Sequence, residues 1–147
     1  MAAKDFGSAG RVVRALSPAS VADGAAITGV EVDCKGWRWA LVVIHCGSVA
    51  ATAAGTVNVQ ASDTAGSGHA TISGATFTVA ATDDNKNLYG LIDLHQQPRY
   101  LKLAGTNGTG GASLFAASIV LYGCSNTEEY VDLASGGADA RQFTVLA

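Results

Sequence analysis

Charged residues are scarce in this chain. They make up 14% of its 147 residues, whereas soluble domains average roughly 25%. Acidic residues outnumber basic ones by 12 to 9, so the formal net charge is −3. The lack of a basic surface argues against nucleic acid or an anionic membrane as a partner. Because 48% of the residues are hydrophobic, we expect partners to cover part of the surface, in an oligomer or a larger assembly.

Cysteine is also scarce, and long apolar runs are missing. Three cysteines are an odd number, which excludes a complete intramolecular disulfide framework. The N-terminus lacks the apolar region of a secretory signal. The densest apolar run, Trp39 to Cys46, is much shorter than the roughly 20 residues that cross a bilayer. We therefore expect a protein made in a reducing cytoplasm, with no membrane partner.

Glycine, by contrast, is plentiful, with 18 residues against 2 prolines. Short alternating segments are separated by turn signals, and no convincing amphipathic helix occurs, which is typical of sandwiches and barrels. The sequence predicts an all-β fold, an antiparallel two-sheet β-sandwich of jelly-roll-like topology. We expect a flexible N-terminal arm at 1–10, the sandwich at 11–123 and a C-terminal extension at 124–147. About eight strands are predicted, at 11–16, 27–33, 37–46, 56–62, 71–81, 88–95, 99–105 and 113–123.

The strand at 37–46 is apolar on both faces beyond Arg38. A strand of this kind lies mid-sheet, or has its second face covered by a neighbouring subunit. We predict that Trp39, Leu41 and Val43 point into the sandwich. The opposite face is then expected close to a subunit contact, and it consists of Ala40, Val42 and Ile44.

The same stretch holds Cys34, His45 and Cys46, which are the residue types of a zinc or thiol site. His45 and Cys46 are adjacent in a strand, so their side chains point to opposite faces and cannot both bind one ion. No C-x-x-C pair occurs anywhere in the chain. We interpret these cysteines as small buried hydrophobic residues.

Other candidate sites are weak. Asp63 begins the segment DTAG, which loosely resembles the aspartic-protease signature, and a homodimer could supply a second copy. Asp83, Asp84 and Asn85 could give oxygens to calcium, but six or more ligands are needed. The glycine-rich loop at 105–111 precedes a predicted strand, so it is interpreted as a hairpin connection rather than a phosphate site. We predict that the protein is not an enzyme and has no cofactor and no metal.

Four segments carry a resemblance to a known family. They are the turn DCKG at 33–36 that leads into the aromatic-started strand, VNVQASDTAGSG at 57–68, LYGLIDLHQQPRYLKLAG at 88–105 with its pair Arg99-Tyr100, and the closing strand FAASIVLYG at 115–123. Together, in the region from Ile27 to Gly123, the chain resembles the capsid decoration, or cement, proteins encoded among the head genes of tailed bacteriophages.

The resemblance implies a β-sandwich that forms a homotrimer on the outer surface of a phage head. Such a protein would be assembled in the host cytoplasm, would become part of the virion, and would stabilise it by bridging adjacent major capsid proteins. An arm and a tail that become ordered on neighbouring subunits suit that role. The candidate interface residues are Phe6, Arg11, Arg14, Ala40, Val42, Ile44, Tyr130, Phe143 and Leu146.

Two other functions stay open. A jelly-roll carbohydrate-binding module on a virion or tail would use exposed aromatics, and Trp37, Tyr89 and Tyr100 are its candidates. A small hydrolase would use Asp63 in a dimer.

Overall fold

The structure is a computed structural model, and it describes residues 10–123. Two antiparallel sheets pack face to face. The first sheet consists of β1 (Gly10–Val21), β9 (Ser113–Tyr122), β4 (Trp39–Val49) and β7 (Asn87–Asp93), in that order. The second sheet has the order β2 (Ala26–Thr28), β8 (Tyr100–Thr106), β5 (Gly55–Ser62) and β6 (Ala70–Val79), and β3 (Val32–Asp33) also pairs with β8. Single 3₁₀ turns lie at Ala81–Asp83 and Leu94–Gln96.

The strand order is that of a jelly roll. β2 and β3 pair with successive parts of β8, so they act as one interrupted strand and leave eight strands in two sheets of four. The predicted β-sandwich is confirmed. Of the predicted arm only Gly10 is described, where it begins β1, and the predicted extension at 124–147 lies outside the described residues.

The interruption between β2 and β3 joins the two sheets. Gly29 donates its N–H to the carbonyl of Leu103 on β8, and the next N–H, of Val30, donates to the carbonyl of Ala15 on β1 at 2.8 Å. A Cβ on Gly29 would lie 2.5 Å from that same Ala15 oxygen, so this crossing requires glycine. The bend also turns Val30 outwards, to 42% exposure. The prediction of one unbroken strand at 27–33 was wrong for this reason.

β1 is longer than predicted. Its expected end at Ser17-Pro18 is instead a stretch of irregular pairing with β9, with register shifts between Arg14 and Leu16 and between Leu16 and Ala19. Proline is tolerated at such places because an edge strand with a bulge does not need every N–H. The strand therefore continues to Val21.

The core lies between the sheets and is built from small apolar side chains. On β9 the buried face consists of Phe115, Ala117, Ile119 and Leu121, as the alternation predicts. Phe77 and Val79 on β6 pack inwards as expected, Val79 fully and Phe77 in part.

The prediction for β4 was wrong in its parity. Ala40, Val42 and Ile44 have no exposed surface and belong to the core, so they cannot form a subunit contact. Their alternate neighbours, including Trp39 and Leu41, are only half-buried and face outwards. The reason is the pairing with β9, which places these three side chains beside Leu121, Ile119 and Ala117. Cross-strand neighbours share a face, so the core face of β9 fixes the core face of β4.

Candidate functional site

The outer face of the first sheet carries an apolar row that crosses all four strands. Val12 on β1 lies opposite Val120 on β9, Val120 lies opposite Leu41 on β4, and Leu41 lies opposite Leu91 on β7. On each strand at least one directly adjacent residue is buried in the core, so these side chains point away from the core. Val12 is 47% exposed and Leu91 is 56% exposed.

Further apolar side chains flank this row. Tyr89, next to Val43, is 75% exposed, whereas the exposed Leu114 lies apart from the row, beyond Ala116 and Ser118 on β9. We call the row and its apolar neighbours the outer apolar face, and it comprises Val12, Trp39, Leu41, Val43, Tyr89, Leu91, Val120 and Tyr122. Continuous apolar surface of this kind marks an interaction site. The sequence predicts a second apolar face on β4, and the structure has one. It is formed by Trp39, Leu41 and Val43, which were predicted to point into the core.

Charged groups border the outer apolar face. Arg38 donates to Asp93 at 2.9 Å, and its guanidinium carbon lies 5.2 Å from the ring centre of Trp39. Asp93 also accepts the N–H of His95 at 3.0 Å. The arginine is thus held by an ion pair and a cation–π contact at the edge of the apolar surface. Of the predicted basic residues, Arg14 is exposed on β1 and Arg11 is half-buried there.

A second arginine, directly before the first residue of β8, is held in the same way. Arg99 donates to both carboxylate oxygens of Asp33, at 2.8 and 2.7 Å, and stacks 4.9 Å from the ring centre of Tyr100. The hydrogen bond from Arg99 lowers the pKa of Asp33 below its ordinary value. Asp33 also accepts the N–H of Lys35 at 3.0 Å. This basic-aromatic pair therefore fixes the turn before β4.

The cysteines of the described region are buried. Cys34 is 4% exposed and Cys46 is 6% exposed, whereas His45 is exposed and lies 3.0 Å from the amide oxygen of Asn87. The opposite orientation of His45 and Cys46 is confirmed. Burial raises the pKa of the Cys34 thiol to about 12 and also raises that of Cys46. A thiol that stays protonated at neutral pH is a poor nucleophile and a poor metal ligand.

The acidic side chains that were considered as calcium or catalytic residues lie in loops and turns, where two of them accept backbone hydrogen bonds. Asp84 accepts the N–H of Val49 at 2.8 Å, and Asp83 accepts that of Ala80 at 2.9 Å. Asp63 is exposed in the turn after β5. Nowhere in residues 10–123 do three His, Cys, Asp or Glu side chains meet in a way that could hold a metal ion. The described region also contains no helix that is long and apolar enough to cross a membrane.

Two polar anchors were missed by the sequence analysis. Asn107, in the glycine-rich loop, is 3% exposed, and its side chain donates to three backbone carbonyls. Glu31 accepts the N–H of Gly66 at 2.7 Å and lies 3.0 Å from the imidazole of His69. Except for Gly111, their partners are distant in the chain, so neither residue belongs to a recognisable local motif.

The three aromatic candidates for carbohydrate binding differ in their exposure to solvent. Trp37 is only 8% exposed and packs in the core, which removes the best of the three. Tyr100 is half-buried. Tyr89 stays exposed and borders a groove of about 660 Å³ between β6 and β7, where Phe77 and Ile92 form apolar walls.

The fold recurs in solved structures, although no protein-family model and no curated protein matches the chain. The chain is similar to the crystal structure of the PBSX exported protein XepA, with a TM-score of 0.56 and 16% identity. The match covers 100% of this chain but 45% of XepA, so the chain spans less than half of that protein's length. The likeness shows a shared fold. A further similar structure is from Bacillus endospore appendages, described as a novel family of disulfide-linked pili, with a TM-score of 0.45, 12% identity and coverage of 85% of this chain and 99% of that one.

Proposed function

We propose that the protein is a structural subunit of a phage virion, a homotrimeric decoration protein. In this proposal it binds the outer surface of the head and bridges adjacent major capsid proteins. The observation that carries the proposal is the outer apolar face, which in a lone subunit lies open to water. Exposed apolar surface of this extent favours association. The resemblance of the sequence to cement proteins supports a place in a virion, and the β-sandwich fold, shared with the PBSX exported protein XepA, suits that role.

The size of the face limits what it can do alone. Four strands about 4.8 Å apart, over about seven residues of about 3.4 Å each, present on the order of 450 Å² in projection. A specific interface buries about 800 Å² on each partner. The remaining area must come from other parts of the chain. The predicted arm and tail residues Phe6, Tyr130, Phe143 and Leu146 lie outside the described residues and would supply it.

In the proposed trimer, the outward-facing side chains of β4 form the central contact. Trp39, Leu41 and Val43 take the place of the three core residues that the sequence analysis assigned to it. Arg38 and Asp93, paired at the edge of the face, suit the polar rim that surrounds the apolar centre of an interface. Such a rim would orient the partner, while the apolar residues would contribute most of the affinity.

The test uses purified full-length protein and phage heads that lack their decoration. We expect a trimeric mass by light scattering, and density on the head surface by electron microscopy. Leu41→Asp should give monomers that no longer bind heads. The matched control is Thr78→Asp, which puts the same charge on an exposed position of the second sheet and should behave as wild type. A monomeric wild-type protein that binds no head would contradict the proposal.

Catalysis has no part in this role. Asp63→Ala should therefore form trimers and bind heads as the wild type does. A loss of head binding in that variant, with the fold intact, would instead point to a function for the loop at 63–68.

A carbohydrate-binding function is the second candidate, and one observation favours it. Tyr89 lies beside the groove between β6 and β7, whose rim includes the polar side chains of Asp93, Gln96 and Gln97. Sugar rings stack on exposed aromatics and hydrogen-bond to neighbouring polar groups. Binding to a glycan array that is lost in Tyr89→Ala and kept in Tyr100→Ala would support this candidate. An array without any signal would remove it.

A further inference from the structure

The strand β7 is an open sheet edge. Within residues 10–123 it pairs with β4 on one side and with no strand on the other. The opposite edge strand, β1, contains Pro18 and two register shifts and is bonded to Val30. Natural sheets protect their edges with such devices, or with lysine and short strands. β7 has the sequence NLYGLID, with neither proline nor lysine, and its pairing with β4 is regular.

The hydrogen bonds at its two ends show which backbone groups are open. Leu94 donates its N–H to Arg38, and Cys46 donates to Lys86, both at 2.9 Å. In an antiparallel ladder, bonded pairs alternate with non-bonded ones. Leu88, Gly90 and Ile92 therefore direct their N–H and C=O groups towards β4. The groups that point to the open edge belong to Asn87, Tyr89, Leu91 and Asp93.

We propose that β7 pairs with β7 of a second copy of this chain, antiparallel, about a two-fold axis at Gly90. This register places Tyr89 of each copy opposite Leu91 of the other. It uses all seven residues of the strand, and the open N–H and C=O groups meet each other as bonded pairs. The two first sheets then form one continuous eight-stranded sheet.

In this register, the side chains of β7 in one copy are complementary to those of β7 in the other copy. On the outer face, two aromatic–aliphatic pairs form, a combination that stabilises neighbouring strands. At each end Asn87 of one copy lies opposite Asp93 of the other, so no carboxylate faces a carboxylate. A parallel arrangement would place Asp93 beside Asp93. Gly90 offers no side chain at the axis, and its core side is covered by the ring of Phe77.

The area of the contact sets its strength. Tyr89 and Leu91 are 75% and 56% exposed, which is on the order of 250 Å² of side-chain surface for each copy. That is well below the roughly 800 Å² of a standard interface. The pairing is therefore weak in dilute solution, and it becomes populated where many copies are held close together, since a high local concentration replaces affinity.

A cysteine pair tests the register. In a Cys124→Ser background, one full-length chain carries Tyr89→Cys and a second, tagged chain carries Leu91→Cys. Bonded pairs have Cα atoms about 5.5 Å apart, which suits a disulfide. In either variant alone the new thiols lie on the diagonal, about 7–8 Å or more apart, which a disulfide does not span without movement of the backbone.

We expect mild oxidation at high protein concentration to cross-link the mixture into a disulfide heterodimer, and to leave each variant alone without a cross-link, as a single chain on a non-reducing denaturing gel. Cross-linking of Tyr89→Cys with itself, or of Leu91→Cys with itself, would show another register and overturn the proposal. The absence of any cross-link would overturn it as well. The test needs no phage head. Because Tyr89 and Leu91 also belong to the outer apolar face, it is repeated in a Leu41→Asp background, where no trimer is expected, so that its outcome is independent of the function proposed above.

Discussion

The side-chain amide of Asn107 donates to the carbonyl oxygen of Val21 at 3.0 Å, across 86 positions of sequence. The same nitrogen lies 3.0 Å from the carbonyl oxygen of Ala22 and 3.2 Å from that of Gly111. The loop between β8 and β9 is thereby fixed to the end of β1. A buried polar side chain with three acceptors holds this end of the sandwich together, because none of those carbonyls has to stay without a partner.

Replacement of Asn107 should destabilise the fold. Asn107→Ala removes the side-chain donor to the carbonyls of Val21 and Gly111, whereas the carbonyl of Ala22 still accepts the N–H of Ala25, and we expect a loss of about 1–3 kcal/mol in the free energy of unfolding. Asn107→Asp should cost more, because a carboxylate would face three carbonyl oxygens. Urea denaturation measures both. Asn58→Ala is the control, since Asn58 accepts only an exposed bond from Thr76 and should change stability little. If Asn107→Ala were as stable as the control, the Asn107 side chain would not stabilise this end of the sandwich.

Val42 and Val43 are adjacent on β4 but point to opposite faces, so their contributions to stability should differ. Val42 has no exposed surface, whereas Val43 lies on the outer apolar face. We expect Val42→Ala to lower the free energy of unfolding by about 2–3 kcal/mol, and Val43→Ala to lower it by less than about 1 kcal/mol in the monomer. Chemical denaturation at low protein concentration compares them. A larger loss of unfolding free energy in Val43→Ala than in Val42→Ala would instead support the predicted orientation, with Val43 in the core.

Stability should depend on acid through Asp33. Its pKa is lowered in the folded state by Arg99, so the ion pair stabilises the protein above the ordinary Asp pKa of about 3.9, and this contribution is lost as the pH falls through the lowered value. The side chains of Asp33 and Arg99 are 45% and 43% exposed, so the effect stays below about 1 kcal/mol. Asp33→Asn should flatten the fall in melting temperature between about pH 5 and pH 2. An unchanged acid profile would argue against the pair.

Alkaline pH should act through Cys34. Its folded pKa of about 12 lies above the roughly 8.5 of an unfolded thiol. The native state therefore keeps its proton, and stability falls as the pH rises from about 8.5 towards 12. Cys34→Ala should reduce that decline, measured by denaturation at several pH values. In a Cys124→Ser background, the native protein should also react slowly with a thiol reagent at pH 8. Labelling as fast as that of the unfolded chain would contradict the burial.

How far the sequence could predict the site depends on the contrast between the two faces of a strand. The middle of β9 places the small or polar Ala116 and Ser118 on one face and the large Phe115 and Ile119 on the other, so its core face was predicted. β4 has apolar side chains on both faces, so its own alternation does not distinguish them, and the prediction chose the wrong one. The information lay in the pairing of Ile44 with Ala117 and of Val42 with Ile119, which a single strand does not contain.

By itself the sequence determined the all-β class, the position of most strands, the burial of Cys34 and Cys46 and the presence of a second apolar face. These follow from local periodicity and composition, which act over a few residues. Only the tertiary structure decided the strand order, the closure of one side by Val30 and Ala15, the open edge at β7 and the anchor at Asn107. Each of these depends on hydrogen bonds between residues far apart in the chain, and such bonds leave no periodic trace in either partner's sequence.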